Sequence, residues 1–139
     1  MQEMSSGKSA LGLDANLAAA LGYPIGIIAI ISLVMEKENR FVKFHALQSI
    51  LLHAAIIVVG IALGILFMII GIILGVAAAA ANSSAVGGIG GIFGLLTMLI
   101  WLVIIAAYVG GLIMAAVKSY QGQMFKLPIL GNMADKWIK

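Results

Sequence analysis

The chain of 139 residues has no cysteine and two prolines. Without thiols there can be no disulfide, no thiolate metal site, no thiol nucleophile and no palmitoyl or prenyl attachment. Charge is equally scarce: Asp, Glu, Lys and Arg make up 9% of the residues, against roughly a quarter in an average soluble domain. From Phe44 to Val117 there are 74 consecutive residues with none of the four. A water-soluble domain of this size has no use for such a run, so the chain reads as an integral membrane protein. The scarcity also argues against charge-coupled transport, because ionisable residues at membrane depth are what mark ion and proton paths.

What is present agrees with this reading. Hydrophobic residues account for 63% of the chain and the mean hydropathy is +1.19. Residues 1–139 are expected to form a single all-α membrane domain, a bundle of three spans with short tails. The first span runs over about 17–35 and contains Pro24, which should kink the helix or make its start re-entrant. The basic segment and small-residue cleavage site of a signal peptide are missing around it. Glu36 to Lys43 forms a charged, water-facing turn. The second span covers about 48–81, a loop from Asn82 to Gly91 with Gly87, Gly88, Gly90 and Gly91 reads as a flexible turn, and the third span covers about 90–117. Residues 118–139, with Lys126, Lys136, Trp137 and the Leu127-Pro128 turn, read as an amphipathic segment on the membrane surface.

Seven basic residues flank the spans on one side, in the 36–43 turn and the tail, and one, Lys8, lies on the other. The positive-inside rule then places the N-terminus outside and the C-terminus in the cytoplasm of a prokaryotic cytoplasmic membrane. A cysteine at Ser83 should accordingly be labelled from outside. The surplus charge suits orientation and anionic lipid better than nucleic acid.

Glycine spacing is the strongest internal pattern. Gly60, Gly64, Gly71 and Gly75 fall within about 60° on a helical wheel, two GxxxG motifs on one face. Ala18, Gly22 and Gly26 make a matching stripe in the first span, and Ala107, Gly111 and Ala115 another in the third. Such stripes let helix backbones approach closely in lipid, either within the bundle or against another subunit. Catalytic templates fail. The serines have no triad spacing, the intramembrane Asp pair of aspartyl proteases is missing, and the glycine run lacks the Lys-Ser/Thr of a phosphate loop. No enzyme, metal site or required cofactor is therefore expected. His45 and His53, about 12 Å apart along a helix, cannot share a metal, although either alone could ligate haem or a pigment.

At Glu36-Lys-Glu-Asn-Arg-Phe-Val-Lys-Phe-His-Ala-Leu-Gln-Ser49 and again at Leu127-Pro-Ile-Leu-Gly131, the chain resembles the Tic-twenty family, related to the channel subunit of the chloroplast inner-envelope translocon. Magnetosome membrane proteins with a Phe-x-x-Phe-His motif look similar as well. Phe41, Phe44, His45 and Gln48 share a helix face, so the aromatic rings could sit at the headgroups while His45, Gln48 and Ser49 bond the turn or the Leu127-Pro128-Gly131 segment. A fold-stabilising clasp is the expected role. The leading expectation for function is a non-catalytic accessory subunit that packs against other membrane subunits or copies of itself. The resemblance implies, as the alternative, a translocon-like pore for polypeptide transport.

Overall fold

The computed structural model describes residues 7–82 and 84–138; Ser83, the position expected to be labelled from outside, lies beyond them. Five helices follow one another: α1 (Ala15–Leu21), α2 (Gly26–Met35), α3 (Arg40–Ala81), α4 (Ser84–Tyr120) and α5 (Leu130–Trp137). Two of them, α3 and α4, are long and apolar enough to cross a membrane. At 42 and 37 residues they measure about 63 and 55 Å, well beyond a hydrocarbon core of roughly 30 Å. The chain divides into two compact units, Ile56–Ala107 on one hand and Met1–Ala55 with Tyr108–Lys139 on the other.

The Ile56–Ala107 unit holds the middle of the two long helices. Its large apolar side chains, among them Ile57, Ile61, Ile72, Leu95, Leu102 and Val103, are exposed, as lipid-facing residues should be. Phe67 meets Phe93 edge to face at 6.0 Å, and a methyl added at Gly60 would touch the Trp101 ring at 3.6 Å. The flexible loop expected over Asn82 to Gly91 is not formed. Asn82 ends α3 with φ 45°, a left-handed cap that asparagine tolerates, and the helix resumes at Ser84 with all four glycines inside it. Each glycine costs about 1 kcal/mol of helix propensity, but in or near lipid an unsatisfied backbone group costs several, so the helix wins.

The other unit corrects the first span. The helix expected over 17–35 is broken in two, and α1 and α2 fold back on each other. Pro24 has no N–H for the Ala20 carbonyl, which is bonded by the Tyr23 N–H at 3.2 Å instead. The chain turns over Gly22–Ile25, where a Cβ on Gly22 would sit 3.3 Å from that of Ala29. At 10 residues, α2 covers about 15 Å, half of a hydrocarbon core. At the open end of this hairpin the Ala10 N–H donates to Glu36 Oε2 at 2.8 Å. The segment before α1 and the turn after α2 are thus bonded neighbours.

Glu36 is not water-facing as its charged surroundings suggested. It is buried, and its other oxygen accepts the Asn39 N–H at 3.1 Å. Asn39 in turn caps α3, its Oδ1 accepting the Val42 N–H at 3.2 Å, one of the helix-start donors that need a partner. Apolar packing completes the unit. Phe41 and Val42 lie on Ala15, Ala18 and Ala19 of α1, Phe44 lies against Ala134 of α5 and Ile138, and Tyr23 packs with Ala115 and Leu127.

The tight hairpin makes Gly22→Val a sharp probe. Its added carbons would be forced against Ala29, and overpacking of this kind costs about 1–3 kcal/mol. The thermal unfolding midpoint in detergent should fall, and an unchanged midpoint would refute the close approach.

Candidate functional site

The polar residues of the Phe-Val-Lys-Phe-His-Ala-Leu-Gln-Ser segment converge on irregular backbone. His45, Gln48 and Ser49 follow at i, i+3 and i+4, so one face of α3 carries all three, and each is completely buried. Opposite them lie the turn of the α1–α2 hairpin and the strap from Gln121 to Pro128, which has no regular structure. Backbone in such segments cannot satisfy itself, and a buried unpaired group costs about 1–3 kcal/mol.

The three side chains supply the missing partners. Ser49 Oγ donates to the Gly22 carbonyl at 2.8 Å, at the end of α1. Gln48 reads the strap in both senses: its Oε1 accepts the Leu127 N–H at 2.9 Å and its Nε2 donates to the Phe125 carbonyl at 3.1 Å. The second hydrogen on Nε2 goes to the Tyr23 hydroxyl at 2.7 Å. The Tyr23 proton is then free to be donated to His45 Nδ1 at 2.9 Å, while His45 Nε2–H donates to the Gln123 carbonyl at 3.0 Å. This chain of donors closes only with a neutral His45 protonated on Nε2. The imidazole is walled in by Phe41, Phe44 and Tyr23, all edge-on, at 4.6, 5.0 and 5.9 Å. The two phenylalanines are therefore interior walls and not headgroup anchors.

The Leu127-Pro128-Ile129-Leu130-Gly131 segment supplies the other half of the clasp. Ile129 has φ 66° and ψ −59°, and the Leu130 N–H bonds the Pro128 carbonyl at 2.7 Å. This is a γ-turn of the rare, strained hand, which turns the strap into α5. Gly131 must be glycine: a Cβ there would lie 2.6 Å from Gln48 Oε1 and from both Cα and Cβ of Lys126. Outside this core, Asp135 is bonded by Arg40 at 2.9 Å and by Lys126 at 2.8 Å. The hydrogen bond from Lys126, helped by the nearby charge of Arg40, holds the Asp135 carboxyl below the usual aspartate value.

The small-residue positions divide. Gly22 and Gly26 face neighbours in the hairpin unit, Ala29 and His53 respectively, and Gly111 faces Leu127. Gly60 faces Trp101, whereas at Gly64, Gly71 and Gly75 an added methyl would have nothing within 4 Å. His53 donates from Nδ1 to the Ser49 carbonyl at 2.8 Å and stands edge-on to Tyr108. Among the described residues no three His, Cys, Asp or Glu side chains are grouped to hold a metal ion. Sequence reasoning missed Tyr23, Glu36, Asn39 and the strap carbonyl of Gln123. A tyrosine beside the lone proline of an apolar stretch was the available signal for the first.

The fold and the clasp define a class: a small helical membrane protein with two long apolar helices and an internally bonded polar cap. Residues 9–134 match the MamF/MmsF family, described as the magnetosome magnetite crystal formation protein family, and the chain belongs to it. A UPF0132 membrane protein of Methanocaldococcus jannaschii is 34% identical over 132 residues, 94% of each chain. Another from Archaeoglobus fulgidus is 36% identical over 124 residues, 88% of this chain and 94% of its own. No solved structure matches. This family overturns the Tic-twenty resemblance, which rested on two short segments, and the pore reading loses the relationship that suggested it. The similarity to magnetosome membrane proteins is the one that stands.

Two tests follow from the clasp. Gln48→Leu keeps the bulk but strands the Phe125 carbonyl and the Leu127 N–H, at about 1–3 kcal/mol each; it should lower the unfolding midpoint and speed hydrogen exchange across residues 123–127. Exchange as slow as in the parent would dismiss the clasp. Because the folded Asp135 is the stronger acid, its tether is fully present above the usual aspartate range and lost only as pH falls through its lower folded value. Carboxyl-carbon NMR should show that depressed midpoint, moving back up in Lys126→Gln.

Proposed function

We propose that the chain is a non-catalytic subunit of a membrane assembly, a two-helix anchor bearing a rigid cap, which packs against other membrane proteins or copies of itself. The observation that carries this reading is the closure of the polar cluster. Tyr23, His45, Gln48 and Ser49 commit their hydrogen bonds to one another and to the backbone, leaving no poised acid, base or nucleophile for chemistry. Both ring nitrogens of His45 are engaged, which disfavours a haem or pigment at that residue. The open flank at Gly64, Gly71 and Gly75 supports association, since small residues allow a second helix backbone to come close. The family's description in terms of magnetite crystal formation fits a scaffold role at a membrane, and that much is carried over to this chain.

For topology we infer two crossings, α3 and α4, with the α1–α2 hairpin dipping into the membrane and returning. The third crossing drops out. All eight Lys and Arg residues then lie on one side, cytoplasmic under the positive-inside rule, together with both ends of the chain.

Since there is no native cysteine, single cysteines test the topology directly. Cysteines replacing Lys8 and Lys136 should react from the same side and one replacing Asn82 from the other; opposite reactivity of Lys8 and Lys136 would restore three crossings. For the subunit reading, tagged protein from its native membrane should be recovered in mild detergent with stoichiometric partners or as a homo-oligomer. Gly64→Leu should dissociate that species. Recovery as a monomer with nothing attached would end the proposal.

A further inference from the structure

Only one face of α5 is covered by the rest of its unit. Gly131 and Ala134 are buried, with Ile138 just beyond the last turn, and Ala134 and Ile138 pack with Phe44, Leu47 and Leu51 of α3. The two edges beside that face differ in chemistry. On one edge Leu130, Met133 and Trp137 fall within about 60° of one another on a helical wheel. Asp135 stands on the other, about 140–160° from each of the three.

The surroundings give each edge a direction. Leu130 reaches the cluster of Tyr23, Ala115 and Leu127, into which Leu52 of α3 and Leu112 and Ala116 of α4 also pack. Asp135 is bonded instead to Arg40, the first residue of α3. Between Arg40 and Leu52, α3 rises about 18 Å and passes from charged residues into the run that has none. The Leu130 edge is therefore turned toward lipid and the Asp135 edge toward water.

The apolar edge is open. Trp137 is 62% exposed and Met133 half-buried, and the γ-turn before α5 holds Ile129 75% exposed. The end of α4 has the same composition, with Val117 and Tyr120 exposed around Lys118. Tryptophan and tyrosine concentrate at the level of the headgroups, and a short helix with one apolar and one charged edge suits a position along that level.

We propose that α5 is a foot on the membrane surface, with Ile129, Met133 and Trp137 seated at the boundary of headgroups and acyl chains and with Asn132 and Asp135 in water. The partner of this surface is the bilayer leaflet through which α4 emerges. With α4 anchored at one end and the foot at the other, the strap bonded by His45 and Gln48 is held at headgroup depth. Only the crossing of α4 is required, so the foot and the subunit role can fail separately.

Because there is no native cysteine, a nitroxide can be attached at one position at a time in protein reconstituted into vesicles of phosphatidylcholine and phosphatidylglycerol. Trp137 and Asn132 are both exposed, so Trp137→Cys and Asn132→Cys leave the packing intact. The ratio of collisions with oxygen, which concentrates in lipid, to collisions with a water-soluble nickel chelate should be several-fold higher at Trp137→Cys. In W101F protein, where Trp137 is the sole tryptophan, bromine near the glycerol end of the acyl chains should quench it more than bromine near the methyl end. Equal collision ratios would put Trp137 in water, protection from both reagents would put it against a second copy or another protein, and stronger quenching by the deeper bromine would bury it in the core. Each of these would overturn the foot.

Discussion

The fold depends on one constraint: backbone that leaves a helix at or near lipid must find its hydrogen bonds inside the protein. Two breaks of helix in the cap-bearing unit matter most, the Gly22–Ile25 turn and the strap before α5. The first break exposes the Gly22 carbonyl, and the strap exposes the Gln123 and Phe125 carbonyls and the Leu127 N–H. All four are bonded by Ser49, His45 and Gln48, one turn of α3. Remove that turn's polar side chains and neither irregular segment can stay where it is. Apolar packing by Phe41, Phe44 and Tyr23 then excludes water from bonds that have already been matched.

This constraint also explains which parts of the structure were legible in advance. The charge-free run announced two long helices, and the three-four spacing of His45, Gln48 and Ser49 placed them on one face. The short motif near the end marked a segment for that face to bond. The hairpin was less legible, because a 19-residue apolar stretch satisfies the length rule for a crossing whether or not a proline breaks it. The bond from Ala10 to Glu36, which joins residues 26 positions apart, and the close approach of Gly22 to Ala29 show that α2 folds back on α1. Glu36 was misread for a related reason: in a cluster of charges, sequence does not distinguish the carboxylate that caps backbone from those that face water.

The glycines taught the same lesson from the opposite side. Near Gly87 to Gly91 propensity favours a loop, and in water it could have had one. Lipid and headgroup surroundings raise the cost of open backbone above the cost of helical glycine, so the helix persists to Ser84 and the turn shrinks to its tip. The family resemblance rested on two short segments. Two brief motifs were too little to fix kinship. A match extending over residues 9–134 was needed.

A division of labour follows from where the polar bonds are. The cap is specified by directional bonds and a glycine that tolerates no methyl, so its conformation is pinned. Among the described residues, the apolar stretches of α3 and α4 between Ile56 and Ala107 have no comparable set of directional contacts, and lipid supplies no hydrophobic drive to hold them together. Their stability as helices comes from the backbone. Gly64, Gly71 and Gly75 keep that surface flat without filling it. A stretch whose helices are held by backbone bonds and a cap held by side-chain hydrogen bonds answer to different substitutions: changes between Ile56 and Ala107 leave every bond of the clasp in place.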